Sequence, residues 1–232
     1  MESDVTQSAA FYKTWAWVDA HKKQVTIGIA GVLVVGLGAG IFVWQQKQKQ
    51  ISASEALSRI ASQSSMTGKA AAPESFQKVA DEYANTGGGE RALLLAGARF
   101  FDEGKFTDAQ AQFRKFLSDY PNSDFIGQAL IGVAASLEAQ GKTADAINAY
   151  KNIVEHHSTD SVMPQARLAL GRIYESQGEL TQARDAYQQL ARPDFGSMGQ
   201  EAAMRLEDLL TKNPALAQPR TPITNSPAPS LK

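Results

Sequence analysis

Between residues 90 and 197, apolar and small residues recur on two scales. On the short scale, Leu93, Ala96, Gly97 and Phe100 stand three or four apart, the spacing of one face of an α-helix. A second stripe, Phe106, Ala109, Phe113, Phe116 and Leu117, comes after Gly104 and predicts a second helix. On the long scale the figure returns every 37 residues, with Gly104, Gly141 and Gly178 as its pivots. Ala109, Ala146 and Ala183 come after them, then Phe113, Tyr150 and Tyr187, then Phe116, Ile153 and Leu190. Gly97, Ala134 and Gly171 precede the pivots, as do Phe100, Leu137 and Tyr174. Columns held in register over two steps predict three stacked helical hairpins over 90–196. The small columns mark close crossings of helix axes, and the aromatic columns fill the wedge beside them.

The flanks read differently. Residues 1–24 form an N-terminal segment in which Phe11, Trp15 and Val18 share a helical face amid Lys13, His21, Lys22 and Lys23. Two readings stay open there: an interfacial helix, or a short helix continuous with the apolar run beginning at Val25. Val25 to Trp44 carries no charge, and at about 1.5 Å per residue its twenty residues match the hydrocarbon core of a bilayer. A transmembrane helix over 25–44 is expected rather than a cleaved leader, since the apolar run is long and WQQKQKQ stands at its end. Trp15, Trp17 and Trp44 bracket it as interfacial aromatics would. Gly36 and Gly40 form a GxxxG pair suited to packing against another helix, although glycine is common in such spans. Lysines lie on both sides, so charge does not set the orientation.

Residues 45–89 are expected to hold a linker helix with the weak stripe Ile51, Ala53, Ala56, Leu57 and Ile60, then a loop over 64–75. A degenerate repeat comes next, because Phe76, Val79, Ala80 and Tyr83 stand 37 before Phe113, Phe116, Leu117 and Tyr120. Gly87, Gly88 and Gly89 suggest a hinge ahead of the first clear repeat. At the far end, 197–212 repeats a first helix, with Ala203 and Leu206 placed 37 after Ala166 and Ala169, and should cap the array. Five prolines mark 213–232 as a disordered tail or, alternatively, a short extended binding segment.

Composition narrows the chemistry. Twenty-three basic against twenty-four acidic residues offer no surplus to draw nucleic acid, and the absence of cysteine removes disulfides and thiolate chemistry. His156 and His157 are adjacent and diverge by about 100° on a helix, so they do not ligate one metal. GGGE at 87–90 lacks the lysine of a phosphate loop. No catalytic set, metal site, cofactor or small-molecule substrate is expected, and the chain reads as a non-enzyme.

The repeat columns resemble the tetratricopeptide repeat (TPR) family. The first copy matches through Leu93, Ala96, Gly97, Phe100, Ala109, Phe113 and Phe116, with Pro121 at the closing turn. The later copies match likewise, except that Arg167 stands where a large apolar residue is usual, and the period exceeds the usual 34. The resemblance implies an all-α fold, here a single N-terminal transmembrane helix followed by a TPR helical-hairpin solenoid. It also implies that the first helix of each hairpin lines a concave protein-binding face. On that mapping the inward residues are Arg91, Leu94, Ala98 and Phe101 from repeat one, Ile131 and Ala135 from repeat two, and Leu168 and Arg172 from repeat three. Asp102, Gln128, Glu138, Gln165 and Glu175 occupy further offsets. The stripe Leu94, Phe101, Ile131 and Leu168 suits a hydrophobic or helical segment. Either a partner protein or the chain's own residues 45–63 could fill it.

The wider layout is similar to the YfgM-type ancillary subunits of the bacterial SecYEG translocon. That similarity implies a single-pass protein of the bacterial inner membrane, with a cytoplasmic N-terminus and periplasmic repeats. Its partners would be translocon subunits, periplasmic chaperones and unfolded secreted chains. The alternative expectation is a structural envelope scaffold that assembles membrane protein complexes through its span without handling substrates.

Overall fold

Among the described residues every regular element is a helix. The computed structural model describes residues 15, 17, 19–157 and 161–217, so the expectations for 1–14 and for most of the proline-rich tail lie outside them. The chain divides into two compact units, Met1–Ala56 and Leu57–Lys232.

A turn at His21 separates helical Asp19 and Ala20 from helix α1, Lys22–Thr67. The His21 ring stacks on Trp17 with centroids 4.8 Å apart, and its Nδ1 lies 2.9 Å from the Trp17 carbonyl oxygen. α1 is long and apolar enough to cross a membrane. Ile27, Val32 and Leu37 on it are exposed, as are Phe42 and Trp44.

α1 runs without a break through the expected boundary at 44 and past the loop expected to begin at 64. The hydroxyls of Ser64, Ser65 and Thr67 donate to the carbonyl oxygens of Ile60, Ala61 and Gln63 at 3.0, 3.0 and 2.8 Å. Polar residues that suggest a loop by composition are thus absorbed by hydrogen bonds to the preceding turn. Gly68, at φ +64°, ends the helix.

Helix α2, Pro73–Glu82, has proline in its first turn, where no amide partner is needed. The expected hinge at Gly87–Gly89 is instead the first turn of α3, Gly87–Asp102. The Thr86 hydroxyl caps it by accepting from the Gly89 amide at 3.0 Å. A Cβ on Gly89 would stand 2.1 Å from the Tyr83 carbonyl oxygen, so glycine there serves close approach rather than flexibility.

Three hairpins come next: α3 with α4 (Phe106–Asp119), α5 (Ile126–Ala139) with α6 (Thr143–His156), and α7 (Met163–Ser176) with α8 (Leu180–Leu190). Their turns are copies of one another. Gly104, Gly141 and Gly178 have φ of +75°, +74° and +76°, a region L residues enter at a cost. Gly104 donates to the Phe101 carbonyl and Lys105 to that of Phe100, each at 2.9 Å, the paired bonds of a Schellman end. Between helices, Ala109, Ala146 and Ala183 are fully buried. The Phe113 ring lies so close to Gly97 and Gly132 that a Cβ on either would come within 2.8 or 2.6 Å of it. Gly171 stands in the same relation to Tyr187, at 2.3 Å.

The array ends on α9, Gly196–Lys212, one residue out of the expected register. Ala202 is fully buried and Ala203 exposed, where the 37-residue step puts Ala203 inside. The cause is the connection before it. α8 has 11 residues against the 14 of α4 and α6, and Pro193–Phe195 forms a 3-10 turn. In the shifted register Glu207 takes the position of Gly171. A 3-10 turn at Pro214–Ala217 folds back, where the Leu216 carbonyl accepts from Arg184 Nη1 at 3.1 Å.

These contacts rank the glycines. Gly171→Val should lower the unfolding free energy by about 1–3 kcal/mol through overpacking, and Gly141→Ala by about 1–2 kcal/mol through its left-handed backbone. Urea unfolding followed by circular dichroism measures both, and an unchanged midpoint for Gly171→Val would contradict the packing described.

Candidate functional site

The first helices α3, α5 and α7 align side chains into two adjoining cavities. The first, of about 360 Å³, is walled by Leu94, Leu95, Ala98 and Phe101 of α3, Phe113 of α4, and Ile131, Gly132 and Ala135 of α5. Asp102 and Gln128 are its polar residues. The second, of about 380 Å³, shares Phe101 and Ala135 and continues to Glu138, Tyr150, Gln165, Leu168 and Arg172. A helix presents residues three and four apart on one face, which is why Leu94, Ala98 and Phe101 stand together.

Seven of the eight sequence-mapped residues therefore line one continuous groove: Leu94, Ala98, Phe101, Ile131, Ala135, Leu168 and Arg172. Arg91 lies elsewhere, exposed, with its guanidinium 5.9 Å from the centroid of the Phe125 ring. None of residues 57–63 lines either cavity. Gly36 and Gly40 are on α1, with nothing but their own helical backbone within 4 Å of where a Cβ would stand.

Sequence mapping missed Leu95, Phe113 and Tyr150. The last two belong to a column that reads as core, and they are core, yet part of each ring also reaches the groove floor. Leu95 has no counterpart in its column, where the later copies have Gly132 and Ala169. That fall in side-chain size was the available signal, because small residues at two positions leave room beside the large one.

The electrostatics of the groove change from one repeat to the next. The Tyr150 hydroxyl donates to Glu138 Oε2 and that of Tyr187 to Glu175 Oε2, both at 2.8 Å. Burial pushes both phenols far above their ordinary range, with the neighbouring glutamates adding to the shift. They therefore act as permanent donors. Arg172 Nη2 approaches Glu138 Oε1 at 4.0 Å and Arg205 Nη1 approaches Glu175 Oε2 at 3.9 Å, contacts too long and exposed to contribute much. In repeat one the corresponding residues are Phe101 and Phe113, with no polar atom. Hydroxyl and carboxylate are present together or absent together, as expected where a buried hydroxyl without an acceptor costs about 1–3 kcal/mol.

Repeats one and two are also stitched by polar contacts. Gln140 Nε2 donates to Gln110 Oε1 at 3.1 Å and to the Phe106 carbonyl at 3.3 Å. His156 and His157 stand at the end of α6, where His157 donates its amide to the Ile153 carbonyl. Among the described residues, no three His, Asp or Glu side chains gather as a metal site would require.

The pairing is testable by a double-mutant cycle. Glu138→Phe alone strands the Tyr150 hydroxyl and should lower stability by about 1–3 kcal/mol. Adding Tyr150→Phe, which copies repeat one, should recover most of that loss. Additive losses in the double variant would contradict the coupling.

Comparison with known proteins agrees with this architecture. The family model described as tetratricopeptide repeat-like domain matches residues 15–211, so the match takes in α1, the three hairpins and nearly all of α9. No curated protein matches the chain. The chain belongs to the tetratricopeptide repeat-like family, whose domains are protein-interaction modules.

Proposed function

We propose that this tetratricopeptide repeat-like protein is a membrane-tethered adaptor whose groove takes an apolar segment of another protein. The observation that carries the reading is the wall formed by Leu94, Ala98, Phe101, Ile131 and Ala135 in an interaction domain, open and almost uncharged. Apolar surface of this kind gains free energy when covered, at roughly 25 cal/mol per Å² removed from water. Tethering is supported by α1, whose exposed apolar side chains suit lipid better than water.

The finer placement rests on the layout shared with YfgM-type translocon subunits. On that reading the N-terminus is cytoplasmic and the repeats stand in the periplasm of a bacterial inner-membrane protein. The partners are translocon subunits, periplasmic chaperones and unfolded secreted chains. Chains emerging from a translocon expose apolar segments before folding, which is the chemistry the groove wall accepts.

A second reading draws on Gly36 and Gly40, which lie in open space on α1. There the protein is an envelope scaffold joined to other membrane proteins through its span. The two readings place affinity on different surfaces. Phe101→Asp with Ile131→Asp should reduce partner capture by about tenfold or more if the groove binds, while Gly36→Leu with Gly40→Leu leaves it unchanged.

Photocrosslinking in living cells from position 101, with protease access to the repeats read in inverted inner-membrane vesicles, tests the placement. Crosslinks to translocon subunits, chaperones or nascent secreted chains, with the repeats protected, are expected. Repeats digested in inverted vesicles would put them in the cytoplasm and end the translocon reading.

A further inference from the structure

The two cavities share Phe101 and Ala135 yet differ in chemistry, and one matched exchange sets the difference. Where Glu138 and Glu175 accept from Tyr150 and Tyr187, repeat one has Phe101 and Phe113. Changing one member alone would strand a buried hydroxyl or set a carboxylate beside an aromatic ring. Changed together, they switch the groove from charged to apolar while the hairpin keeps its shape.

Charge along the wall changes at the same step. Arg172 with Glu138 and Arg205 with Glu175 lie beyond repeat one. The first cavity has Asp102 as its only charged residue, and Arg99 Nη1 holds that carboxylate at 3.0 Å. The surface complementary to this wall is uncharged, because a charge buried there would lose water and gain no partner.

Backbone chemistry narrows the ligand further. An extended segment would bring amides and carbonyls that apolar walls cannot satisfy, whereas a helix satisfies its own. Leu94 and Ile131 hold equivalent positions on successive first helices, and both wall the first cavity.

We propose that the Phe101/Phe113 pair makes the repeat-one end of the groove a seat for an amphipathic helix of another protein, with an uncharged apolar stripe. The Glu138/Tyr150 pair marks where that seat ends. The proposal rests on the groove being the binding surface.

The test uses the full chain in lipid nanodiscs and a fluorescent helical peptide of about 18 residues, five turns of Leu, Ala and Gln with Leu on one face. Anisotropy is read against empty nanodiscs. Phe101→Glu with Phe113→Tyr, which writes the repeat-two pair into repeat one, should weaken binding about tenfold or more. Glu138→Phe with Tyr150→Phe should extend the seat and tighten binding about threefold or more. If neither exchange alters affinity while Ile131→Asp abolishes it, the groove binds but the pair does not select, and the proposal fails alone. If Ile131→Asp is also silent, the groove reading fails with it. A concentration-dependent dimer of the wild-type chain that the Phe101/Phe113 exchange dissolves would put a second copy in the seat and overturn the proposal. Thermal melting checks folding. Should the first double variant not fold, Ala98→Gln, exposed in the same cavity, must weaken the peptide instead.

Discussion

An aromatic ring clamped between glycines is the contact on which the repeat domain depends. Phe113 lies against Gly97 of its own hairpin and Gly132 of the next, at distances that leave no room for a methyl group on either. One side chain thus fixes both the crossing within a hairpin and the step to its neighbour. Close packing of this sort is short-ranged, and each hairpin stabilises only those beside it. On α9, Glu207 stands in the shifted register where Gly171 has the small residue of this contact.

The same aromatic column links the core to the groove. Phe113 and Tyr150 are core residues whose ring edges reach the groove floor, so a hydroxyl gained in the core is also polarity gained in the groove. Glu138 and Glu175 sit one helix away to accept it. Core packing and groove polarity are coupled here through one Tyr–Glu hydrogen bond per repeat. Between repeats the two positions differ as a pair: Phe101 with Phe113 in repeat one, glutamate with tyrosine in the later two.

Much of this was legible in the sequence because side-chain size and backbone handedness recur at a fixed step. Gly104, Gly141 and Gly178 announced the turns between paired helices, and Ala109, Ala146 and Ala183 announced close crossings. Leu94, Phe101 and Ile131 could be placed by register, since a helix face is periodic. The readings that failed depended on local hydrogen bonds that composition does not encode. Ser64, Ser65 and Thr67 read as loop formers but bond back into α1, and Gly87 to Gly89 read as a hinge but begin a capped helix. Arg91 obeyed the register, yet a long side chain can turn to another surface, and it stands by Phe125. Ala203 failed because a short α8 moved the register by one residue, a change of loop length that no periodic pattern reports.

Hydrogen–deuterium exchange of the full chain in nanodiscs, with and without an unfolded secreted polypeptide, tests most directly whether the groove is where partners bind. If it is, exchange slows in α3 across 94–101 and in α5 across 131–135, while α8 and α9 stay unchanged. Protection confined to α1, or spread evenly over the repeats, would contradict binding in the groove.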